Sequence, residues 1–71
     1  MPIDPLKLQA LRLSRNLTQA QLAALCGTHP SRISEIERGD NTDPAVSRLE
    51  SLARALGCRA DQLLEKEETK R

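Results

Sequence analysis

Residues 18–39 read Thr-Gln-Ala-Gln-Leu-Ala-Ala-Leu-Cys-Gly-Thr-His-Pro-Ser-Arg-Ile-Ser-Glu-Ile-Glu-Arg-Gly, and the punctuation inside this stretch predicts two short helices joined by a tight turn. Thr18 is a good N-cap, because its hydroxyl accepts from the free amides of a first turn, and Gln21 stands three residues on as a capping-box partner. Leu22, Ala23 and Cys26 then fall on one helical stripe, and Gly27 follows where a left-handed residue without a Cβ ends a helix cheaply. Thr28 or His29 caps the next helix, and Pro30 fits its first turn, where an amide is orphaned anyway. Ile33, Ile36 and Glu37 share a face. Gly39 ends this helix, and Asp40 and Asn41 continue as a loop.

At roughly 100° per residue, Ile33, Ile36, Glu37 and His29 point one way around the second helix. Ser31, Glu35 and Arg38 point the other, flanked by Ser34 and Arg32. One face is core and the other is free. A short helix with small and polar outward residues near its N-terminus suits the DNA major groove, which admits a helix and displays a distinct donor and acceptor pattern for each base pair.

The wider pattern is Leu8, Leu11-Arg12, Leu17-Thr18-Gln19, Leu22-Ala23, Gly27, Ile33-Ser34, Ile36-Glu37-Arg38-Gly39, Pro44, Leu49, Leu52-Ala53, Leu56-Gly57 and Asp61-Gln62-Leu63. It resembles the Cro and phage-repressor (Xre) type of helix-turn-helix domain, lambda-repressor-like in fold, over roughly residues 6–64. That resemblance implies a sequence-specific regulator of transcription, usually a repressor that binds duplex DNA as a symmetric homodimer. Carried over by position, Gln19 matches a residue that bonds a phosphate and braces the second helix of the pair. Pro30, Ser31, Ser34 and Glu35 match positions that approach base edges, and Arg32 joins them. Thr28, His29, Arg38, Asn41 and Thr42 fall where phosphates are held. Arg12 and Glu37 match a structural ion pair between the first and third helices. The sequence also departs from the pattern: Pro30 and Ser31 replace longer amides, which removes bidentate readout of adenine. Glu35 accepts from a cytosine amino group but repels phosphates. Asp40 and Asp43 make the loop acidic where relatives often carry lysine or arginine.

Length and composition bound the rest. A chain of 71 residues predicts one domain with a marginal core, a folded part at about 5–65 and a charged tail at 66–71, with no room for a separate effector domain. No aromatic residue is present, so the core is aliphatic and base stacking on aromatic platforms is disfavoured. Eleven basic residues stand against ten acidic ones, which excludes a bulk polycation mechanism, so DNA affinity must come from where charges sit. Lys7, Arg12, Arg15, Arg32, Arg38 and Arg48 lie early, and Asp61, Glu65, Glu67 and Glu68 cluster late, which fits a basic working face as well as a mixed, solvated surface. Cys26 and Cys58 occupy positions expected to be core and are expected to be reduced. Residues 1–4 are too short and polar for a secretory signal, and no apolar run approaches a membrane span, so the expected location is the cytoplasm.

Around the motif, Asp4 and Pro5 open a first helix running to about Arg15, which buries Leu8, Leu11 and the stem of Arg12. Asn16 is a reasonable left-handed stop. Pro44 opens a fourth helix in which Val46, Leu49, Leu52, Ala53 and Leu56 recur at helical spacing up to Gly57. A fifth helix of about two turns over 60–65 closes the bundle through Leu63 and Leu64. The expected architecture is an all-α, compact five-helix orthogonal bundle. Leu13 and Leu25 exceed what the core stripes need, and either pack at the periphery or form a partner patch.

Two further function classes compete with a DNA-binding regulator. A protein-interaction module on the same fold, such as an antitoxin or partner-dependent cofactor, is favoured by the acidic loop and near-zero charge. An enzyme or metal protein fares badly. His29 stands three residues after Cys26, but Cys58 is the only other good ligand and a structural zinc site needs four. No nucleophile, base and orienting group assemble. No cofactor, metal or small-molecule ligand is expected.

Overall fold

The computed structural model describes residues 2–40 and 45–64. They form four α-helices, α1 (Pro5–Ser14), α2 (Gln19–Cys26), α3 (Pro30–Arg38) and α4 (Val46–Leu56), followed by a single 3₁₀ turn, Ala60–Gln62. Asp43, Pro44, the Val46 side chain, Glu65 and the tail at 66–71 lie outside the described residues.

Local chemistry accounts for the boundaries. Asp4 Oδ1 accepts from the Leu6 amide at 3.0 Å and Pro5 occupies the first position of α1, whose orphaned amide a proline does not have. Asn16 adopts φ +59° beyond its end, a left-handed geometry that Asn tolerates better than most residues. Thr18 and Gln21 form a reciprocal box at the start of α2. The Thr18 hydroxyl accepts from the Gln21 amide at 3.0 Å, and the Gln21 side chain accepts from the Thr18 amide at 2.9 Å. Gly27, at φ +69°, turns the chain so that the Thr28 amide closes on the Ala23 carbonyl at 2.9 Å. This satisfies a carbonyl that the helix itself leaves open.

Ile3, Leu8, Leu22, Ala23, Ile33, Ile36, Leu52, Ala53, Leu56 and Leu63 make one core, to which every helix contributes. Leu11, Leu17, Leu49, Cys26 and Cys58 pack half-buried around it. The cysteines are thus peripheral rather than fully interior, and both are free thiols. Burial pushes both thiols up from their ordinary value; the charge of Arg48 opposes this at Cys26, and that of Arg15 at Cys58.

The two ends of the fold differ from the sequence expectation. In place of a two-turn fifth helix, the chain makes the 3₁₀ turn, buries Leu63, and pairs Leu64 with Ile3 in an isolated antiparallel bridge. The Asp4 amide donates to the Leu63 carbonyl at 2.8 Å. Residues 2–4 are therefore not a loose lead: Ile3 is completely buried. Leu63 serves two needs at once, burying its side chain while its carbonyl accepts from the Asp4 amide, and the next carbonyl, that of Leu64, accepts from Lys7. A regular helix would have removed those backbone groups from reach. Leu13 and Leu25 are exposed, and Leu6 joins them.

Replacing Ile3 by Ala is expected to lower unfolding stability by about 2–4 kcal/mol, whereas Leu6→Ala should stay within about 0.5 kcal/mol of the parent, both read from urea unfolding. Equal effects would contradict the burial of Ile3. Because the folded thiols ionise at higher pH than free ones, the unfolded chain loses its thiol protons first. Stability should therefore fall as pH rises beyond the ordinary thiol value of 9.0, and the fall should shrink in a Cys26→Ala, Cys58→Ala protein.

Candidate nucleic-acid interface

The helix pair α2–α3 is fixed by a buried polar knot. Arg12 on α1 donates through Nε to Glu37 Oε2 at 2.7 Å and through Nη2 to Oε1 at 3.0 Å, while Nη1 reaches the Leu17 carbonyl at 2.8 Å. Gln19, the first residue of α2, adds a donor to Glu37 Oε1 at 3.0 Å. The Arg12 and Glu37 side chains are 9% and 4% exposed. Charges that dry are stabilising only when the geometry is good and the remaining polar atoms are satisfied. Both conditions hold: the fork is bidentate, and no buried side-chain nitrogen or oxygen lacks a partner among the described residues.

The knot grips α3 by one face and leaves the other outward. Ile33 and Ile36 are buried, Ser31, Arg32 and Arg38 are exposed, and Ser34 and Glu35 are half-exposed between them. Pro30 stands exposed at the first position of α3. A shallow groove of about 670 Å³ beside it has Asn16, Thr18, Gln19 and Pro30 on its walls. Thr28 is half-buried. His29 occupies the N-cap position but makes no side-chain cap bond, and it is exposed. It does not share the buried face with Ile33 and Ile36, as the helical projection suggested, because the chain bends into extended geometry at the cap and leaves the helical screw. Asn41 and Thr42 lie outside the described residues.

The basic surface is smaller than a count of charges suggests. Lys7 donates to the Leu64 carbonyl at 2.9 Å and Arg15 to the Leu56 carbonyl at 2.7 Å. Both cations thus cap chain segments that have run out of intrahelical donors. With Arg12 in the knot, three of the six early cations serve the fold. Arg38 is paired as well, to Asp40 at 2.9 Å. Arg32 and Arg48 have no hydrogen-bond partner among the described residues. In the sequence Asp40 reads only as a loop charge. The available signal was an acid two residues beyond an arginine across a helix-ending glycine, a reversal that brings the two side chains together. Among the described residues no three of His, Cys, Asp and Glu come together in a way that would hold a metal ion, and no helix is long and apolar enough to cross a membrane.

A first helix whose polar base anchors the second, and a third whose outer face is polar and accessible, define a helix-turn-helix unit. The chain belongs to the helix-turn-helix family (HTH_3), whose model matches residues 8–63. It is 42% identical over 55 residues to a candidate antitoxin of Mycobacterium tuberculosis, HigA2, covering 78% of this chain and 54% of that protein. It is 37% identical over 60 residues to the control protein C.BamHI of Bacillus amyloliquefaciens, covering 83% and 73%. The chain thus spans about half the length of the first relative and most of the second. Its fold superposes on the P22 c2 repressor, solved with a synthetic operator, with a TM-score of 0.81 at 31% identity, over 92% of this chain and 97% of that one.

Arg12→Ala is expected to cost about 3–5 kcal/mol, since it strands a buried carboxylate, and Gln19→Ala about 1 kcal/mol. Should Arg12→Ala fail to fold, the paired replacement Arg12→Met with Glu37→Met tests the same point: urea unfolding should find it more stable than either single change.

Proposed function

We propose that this protein is a sequence-specific regulator of transcription that binds double-stranded DNA, a repressor acting as a homodimer on a roughly palindromic operator. In this reading α3 of each protomer enters the major groove, and the two half-sites lie about one helical turn, some 34 Å, apart. The observation that carries it is the outward polar face of α3, rigidly oriented from behind by Arg12, Gln19 and Glu37. The likeness to a repressor solved with its operator and to a control protein supports it.

Within that reading Pro30 and Ser31 allow close approach to base edges, and Arg32, Ser34 and Glu35 choose among them. Gln19, Thr28, His29, Arg38, Asn41 and Thr42 hold phosphates, helped by the N-terminal amides of α2 and α4 at the positive ends of their helix dipoles. Arg12 and Glu37 act only through the fold. Residues 1–71 work as one binding domain in the cytoplasm, with no catalysis and no need of a metal, cofactor or small-molecule ligand. A second reading, a protein-interaction module such as an antitoxin, is favoured by the likeness to HigA2 and by a formal net charge of only +1.

Selection of bound sites from random duplexes should return a sequence with two-fold symmetry, and affinity should fall with salt in proportion to the phosphates neutralised. Absence of binding at low salt would favour the second reading. Arg32→Ala should weaken binding to the selected site by about 1–3 kcal/mol while leaving the thermal midpoint within about 2 °C of the parent. Unchanged affinity would mean that α3 is oriented otherwise.

A further inference from the structure

Arg38, the last residue of α3, is held from two sides. Its Nε donates to Oδ2 of Asp40 at 2.9 Å, and its Nη1 donates to the Ser34 hydroxyl, one turn back, at 2.7 Å. The backbone arranges this. Gly39 takes φ +84° and reverses the chain, and the Asp40 amide then closes on the Glu35 carbonyl at 2.9 Å, which pins the carboxylate beside the helix it has just left. Arg38 and Asp40 are each 59% exposed, so the pair stands at the edge of the face that carries Ser31, Arg32 and Glu35.

A bare arginine at that edge attracts phosphates whatever the sequence, because neutralising them releases counterions. A carboxylate 2.9 Å away converts the local field from that of a charge to that of a dipole, which falls off within a few ångströms. We infer that Asp40 is a specificity-determining residue of the DNA-binding face, a positioning residue that acts through Arg38. It holds the guanidinium on Ser34 and offsets part of its charge, so that the phosphate contact of Arg38 contributes less sequence-independent affinity and more comes from base edges. The inference rests on the DNA-binding reading above and names what that face selects for. The Ser34 oxygen accepts from Arg38, and its own proton has no acceptor among the described residues. Toward a base the hydroxyl is therefore a donor, suited to the acceptor edges of the major groove: N7 of a purine, O6 of guanine or O4 of thymine.

The test compares the parent, Asp40→Asn, Asp40→Glu, Arg38→Ala and the Arg38→Ala, Asp40→Asn double variant. Each is titrated across a salt series against a random-sequence duplex and against a site selected from random duplexes. Asp40→Asn should bind the random duplex roughly two- to fivefold tighter at low salt. Its slope of log affinity against log salt should steepen by a fraction of the roughly 0.9 that one full phosphate contact gives, and its preference for the selected site should fall. Asp40→Glu should behave as the parent. In the Arg38→Ala background Asp40→Asn should have little effect. The same gain without Arg38 would reduce the result to bulk charge and overturn the inference, as would an unchanged preference for the selected site. These failures leave the DNA-binding reading standing. Failure of the parent to bind any duplex at low salt removes that reading, and the inference with it.

Discussion

The fork between Arg12 and Glu37 is the contact on which the arrangement of this protein depends. It is a charge pair taken almost wholly out of water, and removing charges from water costs several kcal/mol per ion unless partners replace the lost hydration. Here Glu37, the Leu17 carbonyl and Gln19 supply those partners, and they come from α3, the turn after α1, and the first residue of α2. Aliphatic packing is tolerant of small slides between helices, because one methyl contact replaces another. A bidentate fork is not. The knot converts a small aliphatic core without a single aromatic ring into a body in which α3 has one orientation.

That division of labour explains how the charges are used. The chain is almost neutral, yet three early cations are absorbed by the fold: Arg12 in the knot, and Lys7 and Arg15 on the carbonyls of Leu64 and Leu56. Of the six early cations, Arg32 on α3 and Arg48 on α4 are left without a partner among the described residues. A basic patch counted from sequence overstates the positive face, because a long side chain that reaches back to cap a carbonyl contributes structure rather than field.

Much of the fold was legible in the sequence because it is written in local chemistry. The Thr18–Gln21 box, Pro5 behind Asp4, the left-handed Asn16 and the glycines at 27 and 39 each act within a few residues, and the spacing of Leu22, Ile33, Ile36, Leu52 and Leu56 gives the inner faces directly. What could not be read depends on partners distant in the chain. Ile3 looks like the end of a polar leader until Leu64 pairs with it, and the doublet Leu63-Leu64 satisfies a helical pattern as readily as it satisfies a bridge. Helical periodicity places His29 on the inner face, but the α-helical screw stops one residue short of it, at the cap where the backbone straightens. The outer face of α3 was legible as a pattern of residue types, but the tie between Arg38 and Asp40 was not, since only the reversal at Gly39 brings residues two apart in sequence into contact.

The Ile3–Leu64 bridge carries one more consequence. It stitches the entrance of the folded unit to its exit, so the two points where additional polypeptide joins are neighbours, within about 5 Å across one backbone pair. Anything appended to either end departs from the same corner and shares one tether point.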